Sequence, residues 1–288
     1  MLELSNHLAS LARGCWMKFK WYYVDGLEPL KAKPVVVSLG AIIHSAFDLH
    51  YRGMNNETIV RHINDEFEKE ISKVEMPDQE ELIVAKWTAL GMWNAFPFKD
   101  LKEYEEIYSE EKFSVPLGDL LNVILKGKID RRVKKNNIWW VKELKTTGLS
   151  QRQFEGRIRT SDQATTYVYG TRSYGVQGVM YDCIKRPYLR KRVNETANDY
   201  GLRILHDYHD RKEYYFSQHY TYRNEIDLKH FEEDAIKLAE EMLDKLEKKN
   251  FYRNTDQCWN FNAECPYLKI CFQEMPDPLT LELYYKKR

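Results

Sequence analysis

Asp130, Glu143 and Lys145 are the residues whose types and spacing most readily do chemistry. They lie in KGKIDRRVKKNNIWWVKELKTT, residues 126–147, which reads as two strands around a polar turn at residues 134–137. Side chains alternate faces along a strand, so Glu143 and Lys145 share one face while Trp140 and Leu144 face a core. Asp130, at the end of the first strand, can reach Glu143 across the pair. Two carboxylates and an amine converging on one face suit a hard divalent cation held beside a phosphate. The same residues on neighbouring strands also suit an ordinary surface ion pair. The rest of the chain has to separate the two readings.

Periodicity supplies the elements around them. Residues 4–23 have helix character, with Ser5 as N-cap and Leu8, Leu11 and Cys15 at helical spacing. Residues 34–39 lead into a helix at 40–50, and helices follow at 56–73 and 79–95, so residues 45–100 form a helical insertion. Residues 104–117 read as a strand or hairpin, 121–133 and 138–146 as strands, 160–174 as a helix and 176–184 as a strand. A polar helical stretch runs to residue 211, a strand covers 213–222, and an amphipathic helix covers 227–250 with Leu228, Phe231, Ala235, Leu238, Met242 and Leu246 on one stripe. There is no repeat or low-complexity linker. This order fits one α/β domain over residues 1–288, with a mixed central sheet in a core at 104–222.

Bulk composition narrows the partners. The 288 residues are 43% hydrophobic and 14% aromatic, ample for a packed core. Lys plus Arg and Asp plus Glu are 44 each, so a nucleic acid would have to be met by a local basic surface. No secretory signal is visible, and the longest mostly apolar stretch, residues 34–47, is shorter than the ~20 residues of a bilayer span. The expectation is a cytoplasmic protein with no membrane partner. No GxxxxGK[ST], GxSxG, HExxH or GxGxxG motif is present, which sets aside the enzyme classes built on them.

Further constellations surround the first. Gly40-Ala-Ile-Ile-His44 puts an imidazole on a helix, one turn after a glycine that allows close backbone approach. Gln163 and Tyr167, at i and i+4, share one helix face. Lys185, Arg186, Arg190, Lys191 and Arg192 crowd into eight positions around Tyr188, a candidate contact for unpaired DNA strand. Arg131, Arg132, Lys134 and Lys135 are a second, weaker basic candidate. Of five cysteines, Cys183 lies in an apolar strand and reads as a small buried residue. Cys258, Cys265 and Cys271 cluster within fourteen residues, and Cys15 lies near the other end. Four thiolates suit tetrahedral zinc or an iron–sulfur cluster. The paired short C-x₂₋₄-C spacings of zinc modules are absent, which favours iron–sulfur.

Together these motifs resemble the PD-(D/E)XK nucleases, in particular the RecB-like branch that includes the CRISPR-associated RecB-like exonucleases and their phage relatives. The matching pieces are LSNHLASLARGCWMKFKWYYVDGLEP, GAIIH, GKID, the ELK of VKELKTTG, QATTY and the terminal cysteine trio, in the family's order and over nearly the whole chain. Ile129 stands where the nominal proline precedes the aspartate, and the gap from Cys258 to Cys265 is longer than in many members, closer to the phage type. The resemblance implies a restriction-endonuclease-like core and a metal-dependent deoxyribonuclease, an exonuclease on single-stranded ends. It implies that His44, Asp130, Glu143 and the Leu144 carbonyl bind Mg²⁺ or Mn²⁺, the histidine favouring Mn²⁺. Lys145 would position the attacking water and offset phosphate charge, with Gln163 and Tyr167 aligning the site. Cys15, Cys258, Cys265 and Cys271 would hold one [4Fe–4S] cluster that staples residues 251–288 to the chain's start. The implied setting is the cytoplasm of a bacterium, archaeon or phage-infected host, with DNA as partner and a homo-oligomer or recombination and CRISPR-type proteins as further ones. A DNA-end-binding or adaptor subunit is the alternative function.

Overall fold

A sheet with one parallel pair among antiparallel ones lies at the centre of the residues that carry the motifs. The structure, a computed structural model, describes residues 1–30, 35–75, 78–98, 100–119, 122–260, 263–273 and 275–288. Two compact units divide the chain: residues 33–112 with 128–224, and residues 1–32 with 113–127 and 225–288.

In the first unit, helices α1 (Val35–Tyr51), α2 (Asn56–Ile71) and α3 (Asp78–Ala95) precede strands β1 (Glu106–Ser109), β2 (Arg131–Lys135) and β3 (Ile138–Thr147). Helices α4 (Gln151–Arg159) and α5 (Asp162–Thr171) then cross over to β4 (Val176–Lys185), and α6 (Ala197–Asp210) leads towards β5 (Phe216–Tyr222). The strands lie side by side in chain order. Only β3 and β4 run parallel, and a parallel pair needs a long crossover, which α4 and α5 provide. The β2–β3 turn is Asn136-Asn137, both at positive φ (52° and 62°). That backbone matches the right-handed strand twist, and asparagine tolerates it.

One face of the sheet is apolar. Val133, Trp140, Leu144, Met180 and Ile184 pack in one core with Ile43, Phe47, Ile63, Met92 and Trp93 of the first three helices. Helix α1 begins earlier than the spacing predicts, at Val35 rather than residue 40. β-Branched residues such as Val35, Val36 and Val37 disfavour helix only weakly, so they do not stop it there. The helix expected over 160–174 is α5 and a terminal 3₁₀ turn, and it is preceded by α4, which the periodicity did not suggest. Ser150 and Gln153 form a full capping box at the start of α4, and Ser161 caps α5.

In the second unit, the expected helix over 4–23 is broken. Leu2–Leu4 is a strand parallel to Val123–Lys128. Helix Asn6–Gly14 is capped by Ser5, as its sequence predicts, and ends at Cys15, whose backbone is extended (φ −164°, ψ 120°). Trp16–Phe19 resumes the helix and Lys20–Val24 winds as a π turn. Gly127 has to be glycine: a Cβ there would lie 2.2 Å from the Phe113 ring. Helix Glu225–Lys248 buries Leu228, Ala235, Leu238 and Met242. Trp21, Leu27, Tyr267, Ile270 and Tyr285 form a smaller core. No helix among the described residues is long and apolar enough to cross a membrane.

Candidate functional site

Backbone pairing places Asp130. The strand expected over 121–133 breaks there, between Val123–Lys128 and β2. The Asp130 carbonyl accepts the Glu110 N–H (2.7 Å), and the Ile129 N–H donates to the Glu111 carbonyl (2.9 Å). Ile129 is fully buried, so an apolar side chain anchors the bend where a proline is nominal. Arg131 pairs with Lys142 as the last pair of the β2–β3 register, so Asp130 and Glu143 each lie one residue beyond it.

Glu143 and Lys145 project from the face of β3 opposite Trp140 and Leu144. Lys145 Nζ lies 2.7 Å from Glu143 Oε1 and donates to Gln163 Oε1 at 3.0 Å. Gln163 Nε2 donates in turn to the Tyr167 hydroxyl at 2.7 Å. The two separate motifs, Glu-x-Lys and Gln-x-x-x-Tyr, are thus joined end to end by side-chain contacts. His44, from α1, brings Nδ1 to 3.1 Å from Asp130 Oδ2. Leu144 is buried between Glu143 and Lys145, and its backbone pairs with Asp182 of β4, while the register with β2 stops at Lys142.

The electrostatics of the pair diverge. Burial pushes the Glu143 carboxyl up, with Asp130 adding to it, against the attraction of Lys145. Burial opposes ionisation of Asp130 too, but His44, Arg131 and Lys145 outweigh it and hold that carboxyl below the usual range. Burial, Glu143 and Asp130 raise the Tyr167 phenol, which therefore stays protonated and available as a donor.

Among the described residues, Asp130 Oδ2 is buried with only the His44 ring nitrogen, 3.1 Å away, beside it, and Glu143 Oε2 is buried with no hydrogen-bond partner. Buried carboxylate oxygens normally find one. Among the described residues, no three His, Cys, Asp or Glu side chains already stand close enough together to hold an ion as they are. The donor set nevertheless fits a hard divalent cation: buried oxygens of two carboxylates, one without a partner and the other beside an imidazole.

The four cysteines predicted to act together line one small cavity of about 10 Å³, with Lys18, Trp21, Arg253 and Tyr267 around them. None is in a disulfide. Cys15 sits at the helix break rather than within a helix, and its Sγ accepts the Asn254 N–H at 3.3 Å. Burial raises the Cys258 thiol, and Cys271 and Cys15 raise it further. Four thiols lining one cavity are a soft donor set of the type that zinc or an iron–sulfur cluster takes, but among the described residues no three of them stand close enough to hold an ion as they are. Cys183 lies apart in β4, buried, its thiol pushed well up by burial.

A profile of the PD-(D/E)XK nuclease superfamily matches residues 3–272 of this chain. The chain belongs to that superfamily. No curated protein matches it. Among solved structures, a Eubacterium rectale protein provisionally described as an exonuclease aligns over 96% of this chain and 91% of its own, with 11% identity and a TM-score of 0.45. PD-(D/E)XK nucleases are hydrolases acting on DNA that typically use Mg²⁺ or Mn²⁺, and the mixed α/β architecture described above is theirs.

Other sequence-predicted contacts divide. Lys185 ends β4, its Nζ 4.5 Å from the Tyr214 ring centroid, and the Arg186 N–H donates to the Thr147 carbonyl at the end of β3. The basic run therefore starts at the strand ends just beyond Lys145. Arg190 and Arg192 are exposed, Lys191 is exposed but paired with Glu80, and Tyr188 is 76% exposed. The second basic candidate is largely occupied: Arg132 by Glu111, Lys134 by Glu105 and Glu106, Lys135 by Glu103. Sequence reasoning missed a fully buried ion pair, Lys142 with Asp182 at 2.5 Å. The alternation that put Trp140 and Leu144 in the core also puts Lys142 there.

Proposed function

We propose that this PD-(D/E)XK nuclease hydrolyses DNA phosphodiesters with a Mg²⁺ or Mn²⁺ ion held by His44, Asp130, Glu143 and the Leu144 carbonyl, working as an exonuclease on single-stranded ends. The observation that carries the reading is the continuous contact from Glu143 through Lys145 and Gln163 to Tyr167, beside a His44–Asp130 pair and a buried Glu143 oxygen without a partner. The ion, when bound, lowers the pKa of a coordinated water and polarises a phosphoryl oxygen. Lys145 has three N–H donors, two of them directed at Glu143 and Gln163. The third is free to hold the attacking water or a non-bridging phosphate oxygen. As water oxygen bonds to phosphorus and the bond to the leaving oxygen breaks, that fixed ammonium meets the charge that develops. Gln163, which accepts from Lys145 and donates to Tyr167, fixes the direction of the ammonium beside Glu143.

Exposed Tyr188, flanked by cations at the strand ends next to the site, supports the single-stranded substrate, because an unpaired base can stack on it. The RecB-like branch is supported by the order of the motifs and the cysteine set. The shared cavity of Cys15, Cys258, Cys265 and Cys271 supports one [4Fe–4S] cluster as a structural staple within its unit. The deciding experiment is digestion of end-labelled single strands and duplexes with Mn²⁺, Mg²⁺ or EDTA, on protein purified without oxygen. Metal-dependent shortening from ends, lost in Asp130→Asn and Glu143→Gln, is expected. Equal activity in wild type and Asp130→Asn would sink the assignment.

A further inference from the structure

Beside Asp130 and His44, on the side of α1, lies a pocket of about 230 Å³ lined chiefly by His44, Ser45, Asp48, Glu110, Asp130 and Arg131. Arg131 is only 2% exposed, its guanidinium stacks 4.0 Å over the Tyr51 ring, and its Nε has no hydrogen-bond partner. A guanidinium stays charged wherever it is placed, and a buried one normally has its donors met. Arg132 next in sequence shows the ordinary solution. It makes a two-pronged pair with Glu111 (2.7 and 2.9 Å) and is enclosed by Tyr108, Trp139 and Tyr174.

Among the described residues Arg131 has no such paired carboxylate, although its charge helps to hold Asp130 ionised. The acidic groups of the pocket face other partners: Asp48 Oδ2 meets Arg52 at 2.7 Å, Glu110 meets Arg52 and Lys128, and Asp130 Oδ2 lies 3.1 Å from His44. Asp48 Oδ1 is buried without a partner as well, and calls for a hydrogen-bond donor such as a water. Stacking on Tyr51 fixes the plane of the guanidinium and leaves its edge for a ligand in the pocket. The ligand that matches a planar fork of N–H donors is an oxyanion.

We infer that Arg131 binds a phosphate group of the DNA strand in this pocket, next to the Asp130–His44 end of the site. This rests on the nuclease reading of that site. It adds a substrate-binding residue that neither the Glu-x-Lys nor the Gln-x-x-x-Tyr motif supplies. A phosphate at a strand end and a phosphodiester within the strand share the required chemistry, and the experiment separates them.

The test uses the whole chain as wild type, Arg131→Met and Arg131→Lys. Affinity is measured in EDTA, where hydrolysis does not interfere, for one oligonucleotide carrying a terminal phosphate and for the same sequence without it. Inorganic phosphate is titrated separately by thermal shift. Arg131→Met should bind DNA about tenfold more weakly or worse, lower the salt slope by about one phosphate contact and lose the phosphate-induced shift. Its melting temperature should hold or rise, since an unpaired buried charge has been removed. Arg131→Lys keeps the charge without the fork and should fall between. A loss confined to the phosphorylated oligonucleotide assigns the strand end, and an equal loss on both assigns an internal phosphodiester. Unchanged binding, or a fall in melting temperature with binding intact, overturns the inference and makes Arg131 structural. A protein that binds phosphate through Arg131 yet never cleaves DNA would keep this inference and sink the nuclease reading instead.

Discussion

Replacing Asp182 by Asn should destabilise the protein by an amount that shrinks as pH rises. Lys142 and Asp182 are 1% and 3% exposed and 2.5 Å apart, on the core face of the sheet. Asn keeps the shape and leaves Asp182's other contact, with Gln218 Nε2, largely intact. It leaves Lys142 as a buried charge without its counter-ion, a loss of about 3–5 kcal/mol in comparable pairs. A ceiling follows from chemistry. Lys142 can escape by giving up its proton, which at pH 7 costs an amine of ordinary pKa roughly 5 kcal/mol. Burial already pulls its pKa down, and Asp182 is the main force holding it up, so the variant's pKa falls further. In the variant the unfolded state then binds more protons than the folded state at every pH between the depressed pKa and about 10.4. Stability therefore rises with pH across that window. Between pH 7 and pH 9 the gap to wild type should narrow by at most about 2–3 kcal/mol, less if the wild-type amine, itself depressed by burial, starts to lose its proton in that range. Thermal unfolding should show a deficit on the order of 10 °C at pH 7. Lys142→Met with Asp182→Leu should recover most of it, because an apolar pair avoids the desolvation cost. A deficit under about 1 kcal/mol, or one that stays constant from pH 7 to pH 9, would refute the buried-charge account.

The remaining predictions concern the site, the basic run and the cysteines. Gln163→Ala removes the acceptor that orients the Lys145 ammonium and should lower kcat about tenfold or more with little change in KM, measured on a labelled single strand; a change in KM alone would mean Gln163 only binds substrate. Lys145→Ala should leave Mn²⁺ binding by calorimetry intact while cleavage drops by orders of magnitude. Neutralising Arg190, Lys191 and Arg192 together should flatten the salt dependence of DNA binding, and an unchanged slope reduces the run to a solvated surface. Freshly purified protein should be brown with absorbance near ~400 nm. Replacing any of Cys15, Cys258, Cys265 or Cys271 by Ser should bleach it and lower the melting temperature, whereas Cys183→Ser keeps the colour. About one zinc and no iron per chain after anaerobic purification would falsify the iron–sulfur assignment.

The superfamily and the sheet were legible because their signals are local. Period-two alternation fixes which side of β3 each residue faces, and an i,i+4 spacing fixes Gln163 beside Tyr167. What those rules do not contain is partnership. Alternation says that Lys142 faces the core with Trp140 and Leu144, but hydropathy says that lysine stays outside. The conflict resolves only because β4, reached through a crossover of two helices, supplies Asp182 to the same interior. Arg131 and Arg132 make the same point. As sequence they are one basic pair; in the fold they take opposite faces of β2. Arg132 meets a carboxylate supplied by the Glu110–Glu111 turn, and Arg131 stacks on the ring of Tyr51 with no ion pair among the described residues. A charge is structural or functional according to whether the fold brings it a counter-charge, and that depends on residues twenty to eighty positions away. Helix boundaries failed for a related reason. Residues 4–23 have continuous helical spacing, yet the chain breaks at Cys15, where Asn254 reaches the thiol from the far end of the sequence. Local pattern thus locates the residues that can do chemistry, and non-local pairing decides which of them are left free to do it.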